Sequence, residues 1–106
     1  MIVEYLRYRV PPGGEDEFQA AYARAAVHLG RAEQCVDYEL ARSVDEPQCF
    51  VLRIVWTGAE EHMKGFRGGP HFGPFFEEVR PYLQDIEEMR HYEATGVRWS
   101  RGEPGR

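Results

Sequence analysis

Three turn signals divide this chain of 106 residues into short segments, and they constrain the fold more than any other sequence feature. They are PPGG at residues 11–14, DEP at residues 45–47 and GGP at residues 68–70. Clusters of proline and glycine of this kind end regular elements. The chain is too short for a second hydrophobic core. We therefore expect one domain over residues 1–95, followed by a tail over residues 96–106.

Four of the segments have the composition and alternation of side chains that are typical of β-strands. They are residues 2–10, 35–44, 48–56 and 85–95. The DEP turn joins the second and third segments as an antiparallel hairpin, which places Cys35 and Cys49 several residues apart along the strands. Because a disulfide requires Cα atoms within about 7 Å of each other, we expect two free thiols.

Three further segments have helical character. The first opens with an acidic turn at residues 15–17 and is predicted to stop near Gly30. The apolar residues of a short second helix are Ala59, Met63 and Phe66. Pro70 is predicted to occupy the first position of the last helix. The apolar stripe of that helix is predicted to be Phe72, Phe75, Phe76, Val79, Tyr82 and Leu83.

The resulting order of elements is β-α-β-β-α-α-β. It predicts a ferredoxin-like α+β fold, in which helices cover one face of an antiparallel four-stranded sheet. Large apolar residues nevertheless lie on both rows of the predicted strands, for example Tyr5 beside Leu6. A sheet with one solvated face is expected to alternate cleanly. We therefore expect a homodimer whose sheets pack face to face, with residues 97–99 across the partner and residues 101–106 flexible.

Composition excludes several classes of partner. The formal net charge of -5 and the sequence pI of about 5.3 argue against nucleic acid or an anionic membrane as the main partner. No apolar run approaches the roughly 20 residues of a membrane span. The N-terminal sequence MIVEYLRYRV lacks the pattern of a signal peptide. We expect a cytoplasmic protein.

The sequence resembles the antibiotic biosynthesis monooxygenase family, whose members are small dimeric α+β barrels. The resemblance covers residues 2–94. It rests on VPPG after the first strand, CVDYEL in the second, Trp56 at the end of the third and PHFGPFFEEVRPYL in the last helix. It implies a cofactor-independent monooxygenase that uses dioxygen to oxidise a phenolic, quinol-type or polycyclic aromatic molecule. No cofactor and no metal are expected.

Departures from the family pattern argue against haem degradation. Members that degrade haem use an asparagine on the first strand, an aromatic residue on the short helix and an iron-binding histidine on the last helix. The matching positions here hold Arg7, Phe66 and Phe75, and the chain contains no asparagine. The resemblance therefore implies that the iron ligand is missing.

Oxygenation without a cofactor requires a base, a group that holds the substrate anion, and apolar walls. His71 is the predicted base, because the unperturbed pKa of histidine is about 6.5. Arg7 is the predicted anion partner, since the resemblance places its strand row towards the helices, and Arg53 is a second cation for this role. The predicted substrate-binding walls are Tyr5, Trp56, Phe66, Phe72 and Phe75.

Structural roles remain alternatives for the predicted catalytic residues. His71 can pack the start of its helix, and Arg7 can form a salt bridge with Glu39 or Glu88. Trp56 can serve the core alone. A non-catalytic dimer that binds a small ligand or a protein partner is therefore the alternative function, and a haem-binding variant is a disfavoured third.

The last strand offers a further set of polar residues. Glu87, His91 and Glu93 are predicted to share one row of this strand. Their spacing is not a metal-binding signature, and ion pairing with the neighbouring strand is the favoured interpretation.

Overall fold

The computed structural model describes residues 1–58 and 60–102, without the side chains of residues 60–62. The predicted order of elements is confirmed, with one addition, a 3₁₀ helix before the last strand. The elements are β1 (Ile2–Arg9), α1 (Glu15–Arg31), β2 (Cys35–Arg42), β3 (Cys49–Trp56), α2 (Glu60–Arg67), α3 (Phe72–Val79), the 3₁₀ helix (Arg80–Asp85) and β4 (Ile86–Glu93). The predictions for Ala59 and residues 103–106 fall outside the described residues.

The four strands form one antiparallel sheet in the order β2-β3-β1-β4. This arrangement confirms the ferredoxin-like α+β fold, and the sheet of a single chain is open at both edges. β1 lies at the centre, so that Glu4 pairs with Ile54 of β3 on one side and with His91 of β4 on the other. Within the described residues, no helix has the length and apolar character needed to cross a membrane.

The core lies between the helices and one face of the sheet, which we call the helix-side face. Phe18 of α1 is fully buried and contacts the rings of Tyr8 and Phe50, with centroids 4.9 and 4.8 Å away. Leu29 of α1 and Leu52 of β3 are also almost fully buried. Burial of each such side chain stabilises the fold by about 1.5–3 kcal/mol. Packing on α1 thus fixes which face of the sheet the helices cover.

The row of β1 that faces the helices differs from the prediction. Leu6 and Tyr8 are buried, while Tyr5 and Arg7 are exposed on the opposite face, which we call the open face. Cross-strand pairing explains which row of β1 is buried. Leu6 pairs with Leu52, which belongs to the more apolar row of β3. The side chains of two residues that pair directly on neighbouring strands lie on the same face of the sheet. The expectation that Arg7 faces the helices is therefore wrong.

The start of α3 also differs from the prediction. Pro70 lies in the turn, and α3 begins at Phe72 with His71 at the N-cap position, where its carbonyl accepts the amide of Phe75 at 3.2 Å. The predicted apolar stripe of the last helix is divided between two elements, since Tyr82 and Leu83 belong to the 3₁₀ helix and not to α3. Pro81 has no amide hydrogen for a continuing α-helix, which accounts for the change.

The predicted hairpin is confirmed. The amide of Ser43 donates to the carbonyl of Cys49, and Cys35 pairs with Trp56 at the far end of β3. Both cysteines are free, as expected. β2 ends at Arg42, earlier than predicted, because the chain turns through a polar segment in which the Ser43 hydroxyl accepts two backbone amides.

Candidate functional site

A cavity of about 320 Å³ lies between the helix-side face of the sheet and the helices. Its walls are predominantly apolar, and four of the five predicted wall residues line it. These four are Trp56, Phe66, Phe72 and Phe75. Small-molecule sites are typically cavities of this size and character. The cavity is therefore the place in this fold where a small aromatic molecule fits best.

Phe66 of α2 holds the aromatic wall together. Its ring lies 5.2 Å from that of Trp56 and 5.6 Å from those of Phe72 and Phe75, measured between centroids. The contacts with Phe72 and Phe75 are edge-to-face, an arrangement that aromatic pairs prefer. The wall thus joins the end of β3 to α2 and α3, three elements that follow one another along the chain.

Glu4 of β1 brings a carboxylate into this cavity. The residue is 5% exposed, and its Oε1 accepts a hydrogen bond from Trp56 Nε1 at 3.0 Å. Its Oε2 lies 3.3 Å from Nε2 of His91 on β4. A carboxylate has about four acceptor positions, so both oxygens retain capacity for a substrate hydroxyl. Glu4 is the one carboxylate among the described residues that line the cavity, and the sequence interpretation missed it.

Two buried tyrosines supply further hydroxyl groups to the cavity lining. Tyr8 of β1 and Tyr22 of α1 share a hydrogen bond of 2.7 Å. Burial raises the pKa of Tyr8 to about 12, and the hydrogen bond to Tyr22 lowers it by a smaller amount. Burial also raises the pKa of Tyr22, with a smaller contribution from Tyr8. Both side chains therefore stay neutral near pH 7 and act as hydrogen-bonding groups.

A second hollow, the outer groove, adjoins the cavity at the end of α2. Its volume is about 360 Å³. It is lined by Ile2, Met63, Lys64, Arg67 and His91. Arg67 lines the cavity as well, and His91 contacts the cavity residue Glu4. The aromatic cavity thus opens towards solvent beside basic side chains, on a chain whose net charge is negative.

Three of the predicted site residues lie on the open face, away from the cavity. They are Tyr5, Arg7 and Arg53. Arg7 Nη2 lies 3.5 Å from Glu88, which confirms the structural salt bridge that was one of its alternatives. Arg53 Nη2 lies 3.0 Å from Asp37. The backbone of the sheet separates these side chains from the cavity, so the prediction that Arg7 and His71 meet in one pocket is wrong.

His71 is half-buried at the start of α3 and does not line the cavity. It lines a smaller polar pocket of about 250 Å³, whose other members include Arg31, Glu33 and Gln34. Phe66 is common to the linings of both pockets. His71 therefore stands behind the aromatic wall, and the structure favours its packing role at the helix start.

An irregularity in β4 separates Glu87 from His91 and Glu93, the two other polar residues that were predicted to share its row. The pairing with β1 shifts between Arg7 and Tyr8, so that Glu87 is an extra residue opposite this step. Glu87 contacts Arg7 and Arg9 on the open face, at 3.6 and 3.1 Å. His91 and Glu93 pair with Glu4 and Ile2 and share a row as predicted, whereas the prediction is wrong for Glu87 because a bulge reverses the alternation.

Phe75 occupies the position that the family resemblance assigns to an iron ligand. Its ring is buried, with the ring of Tyr22 6.4 Å away, and it has no atom that can bind iron. The described residues thus offer no iron ligand at this point of the cavity.

The fold and the cavity define a small α+β protein with an internal aromatic site that opens beside basic side chains. The family model of the antibiotic biosynthesis monooxygenases matches residues 1–78. The chain therefore belongs to the antibiotic biosynthesis monooxygenase family.

The chain is also similar to solved structures and to one further bacterial protein. A Bordetella bronchiseptica protein, described as a candidate antibiotic biosynthesis monooxygenase, is 29% identical with a TM-score of 0.70, over 89% of this chain and 96% of its own. SnoaB of Streptomyces nogalater, a cofactor-independent oxygenase, is 24% identical with a TM-score of 0.72, over 88% and 91% of the two chains. The uncharacterized protein YczJ of Bacillus subtilis is 22% identical over 88% of this chain and 98% of its own.

Proposed function

We propose that this protein is a cofactor-independent monooxygenase acting on a phenolic, quinol-type or polycyclic aromatic molecule. The observation that carries the proposal is the buried carboxylate of Glu4 inside an aromatic cavity. Family membership and the activity of SnoaB agree with it. We also propose that the protein works as a cytoplasmic homodimer. The walls that contact the substrate are Trp56, Phe66, Phe72 and Phe75.

In the proposed reaction Glu4 is the general base. It removes a proton from a phenolic hydroxyl or an activated CH₂ group of the substrate, and the resulting anion gives one electron to dioxygen. The two radicals combine to form a C–O bond, and Glu4 returns its proton to the peroxide. Loss of water then leaves a carbonyl group. One oxygen atom enters the product and the other enters water, so the substrate supplies all four electrons.

The surroundings of Glu4 fit this role. Trp56 on β3 contacts one oxygen of the Glu4 carboxylate, and His91 on β4 contacts the other. These two contacts keep the carboxylate turned towards the cavity. A fixed base within hydrogen-bond reach of its substrate is the first requirement of general-base catalysis. The apolar walls keep water from the substrate anion, which favours electron transfer to dioxygen over reprotonation.

Oxygen consumption with a panel of hydroquinones and anthrones tests the proposal. Glu4→Gln keeps an oxygen that can accept the Trp56 hydrogen bond but removes the base, so we expect kcat to fall by about a hundredfold or more. His71→Ala is the matched control, because His71 lies outside the cavity, and it should retain the wild-type rate.

Three results would contradict this assignment in different ways. A large loss in His71→Ala with none in Glu4→Gln would make His71 the base, as the sequence predicted. If the wild-type protein consumes no oxygen with any compound of the panel but binds them, the alternative holds: a dimer that binds a small ligand without chemistry. A Soret band on haem titration, assigned to a histidine ligand, would favour the third, haem-binding function.

A further inference from the structure

Arg67 stands where the cavity meets the outer groove. It is the last residue of α2. Among the described residues, Arg67 is the one that lines both the cavity and the outer groove. Its aliphatic stem can cover apolar surface while the guanidinium stays in water. A molecule that fills the aromatic cavity and extends outwards would therefore meet a guanidinium at the exit.

The electrostatic state of Arg67 differs from that of most arginines in this fold. Seven arginines lie within 4.0 Å of a carboxylate, namely Arg7, Arg9, Arg24, Arg42, Arg53, Arg80 and Arg90. Arg67 forms no such pair with the side chains that the structure describes. Its charge is thus open to an anionic ligand to a degree that those of the paired arginines are not.

A structural explanation accounts for part of this arrangement. Lys64 and Arg67 lie in the last turn of α2, where cations stabilise the helix dipole. That effect requires a positive charge at the helix end, but it does not require the side chain to border an aromatic cavity. His91 adds a third basic group to the same groove from β4, a different element. Two elements thus direct basic groups to one opening.

The groups inside the cavity have the opposite character. Glu4 is the buried carboxylate at the far side of His91, and a second anion placed beside it would be strongly disfavoured. Glu93, the next residue on the His91 row, pairs with Ile2 but does not line the groove. The charges around the two hollows therefore favour a neutral aromatic group in the cavity and a negatively charged group in the groove.

We propose that the protein binds an aromatic acid, with its ring system in the cavity and its carboxylate on Arg67 in the outer groove. The inference rests on the proposed function in taking the cavity as the substrate site. Arg67 provides a planar pair of N–H donors that matches the two oxygens of a carboxylate. Glu4 lines the cavity that holds the ring system, with His91 between it and the groove, and it accepts a hydroxyl of the rings. The two charges orient the substrate for the base.

Titration calorimetry with a matched pair of ligands tests this proposal without relying on turnover. The pair is a hydroxynaphthoic acid and its carboxamide, with the hydroxyl and the acid group at opposite ends of the ring system. We expect the wild-type protein to bind the acid about tenfold more tightly than the amide, since hydrogen bonds to charged groups are the stronger ones. That preference should shrink as salt is added.

Three variants identify the residue responsible. Arg67→Gln should bind the acid and the amide equally, while Arg67→Lys should keep part of the preference because the charge remains. Arg31→Gln is the control, since Arg31 lies in the neighbouring polar pocket with His71 and should leave the preference unchanged.

Several outcomes would overturn the proposal. These are equal binding of acid and amide by the wild-type protein, no binding of the acid, and a full preference for the acid in Arg67→Gln. Failure of the oxygenase function is distinguishable from these results. A protein that binds the acid through Arg67 but consumes no oxygen would keep this site and lose the proposed reaction.

Discussion

Glu4 is the residue on which both the core and the proposed chemistry depend. Among the described residues it is the one charged side chain that the fold buries. Burying a carboxylate is costly unless hydrogen bonds compensate. Trp56 and His91 provide that compensation from the strands on either side of β1. The same hydrogen bonds that make the carboxylate tolerable in the core also aim it at the cavity.

Replacing Trp56 should show how much the indole hydrogen bond contributes. Trp56→Phe keeps an aromatic ring but leaves Oε1 of Glu4 without its donor, in a buried place. We expect the free energy of unfolding to fall by about 2 kcal/mol or more, measured by urea denaturation. Trp99→Phe is the matched control, because Trp99 is 74% exposed in the tail, and its effect should stay within about 0.5 kcal/mol.

A double variant separates the hydrogen bond from the packing. In Trp56→Phe with Glu4→Leu the buried acceptor is gone as well, so part of the lost stability should return. An equal loss with and without Glu4→Leu would mean that Trp56 stabilises the protein by packing alone.

The sequence was sufficient to predict the aromatic lining of the cavity but insufficient to predict its buried carboxylate. Trp56 and Phe66 were predictable because large aromatic residues at the ends of apolar elements have few places other than the interior. Glu4 was missed because alternation along a strand defines two rows without saying which one is buried. Tyr5 and Leu6 make both rows of β1 look suitable. The signal that was available is the partner strand, whose row ending in Trp56 is the more apolar.

At the level of elements, the turn between α2 and α3 determines the position of the aromatic wall. Phe66 is near the end of α2 and Phe72 begins α3, and their rings meet edge to face. The chain must therefore reverse tightly over the residues between them. Gly69 permits this, because a Cβ atom added there would lie 2.8 Å from the carbonyl oxygen of Gly65.

Two glycine substitutions test this requirement. Gly69→Ala forces the Cβ atom against backbone, so we expect a loss of about 1–3 kcal/mol in the free energy of unfolding. Gly30→Ala is the matched control, since Gly30 lies within α1 and an added Cβ would make only an ordinary contact, 3.8 Å from a ring carbon of Tyr38. Alanine there should stabilise the helix by about 0.5–1 kcal/mol. Urea denaturation of both variants measures the difference, and equal effects would show that the turn has room to adjust.

Element boundaries were predictable where backbone chemistry decides them. The DEP turn and the acidic start of α1 are local signals, and both predictions hold. The bulge at Glu87 had no such local signal, since it depends on the pairing of β4 with β1. It is also the reason why Glu87 reaches Arg7 and Arg9, while His91 turns to the cavity.

At the scale of the whole molecule, the open face of the sheet is a mixture of apolar side chains and ion pairs. Tyr5, Val51 and Tyr92 are between 38% and 50% exposed on it. The cations among them are paired, for example Arg53 with Asp37. Pairing lowers the cost of removing such charges from water. This face is consequently well suited to packing against an identical face across a two-fold axis.

The predicted homodimer gives the last test. Val51→Glu places an unpaired carboxylate in the middle of the open face, where two copies would bring two like charges together. Light scattering after gel filtration should show twice the 12.3 kDa chain mass for the wild-type protein and the single-chain mass for this variant. Val44→Glu is the control: Val44 is 95% exposed in the turn between β2 and β3, and that variant should remain a dimer. A monomeric wild-type protein, or a dimer that survives Val51→Glu with its circular dichroism unchanged, would show that the open face is not the interface.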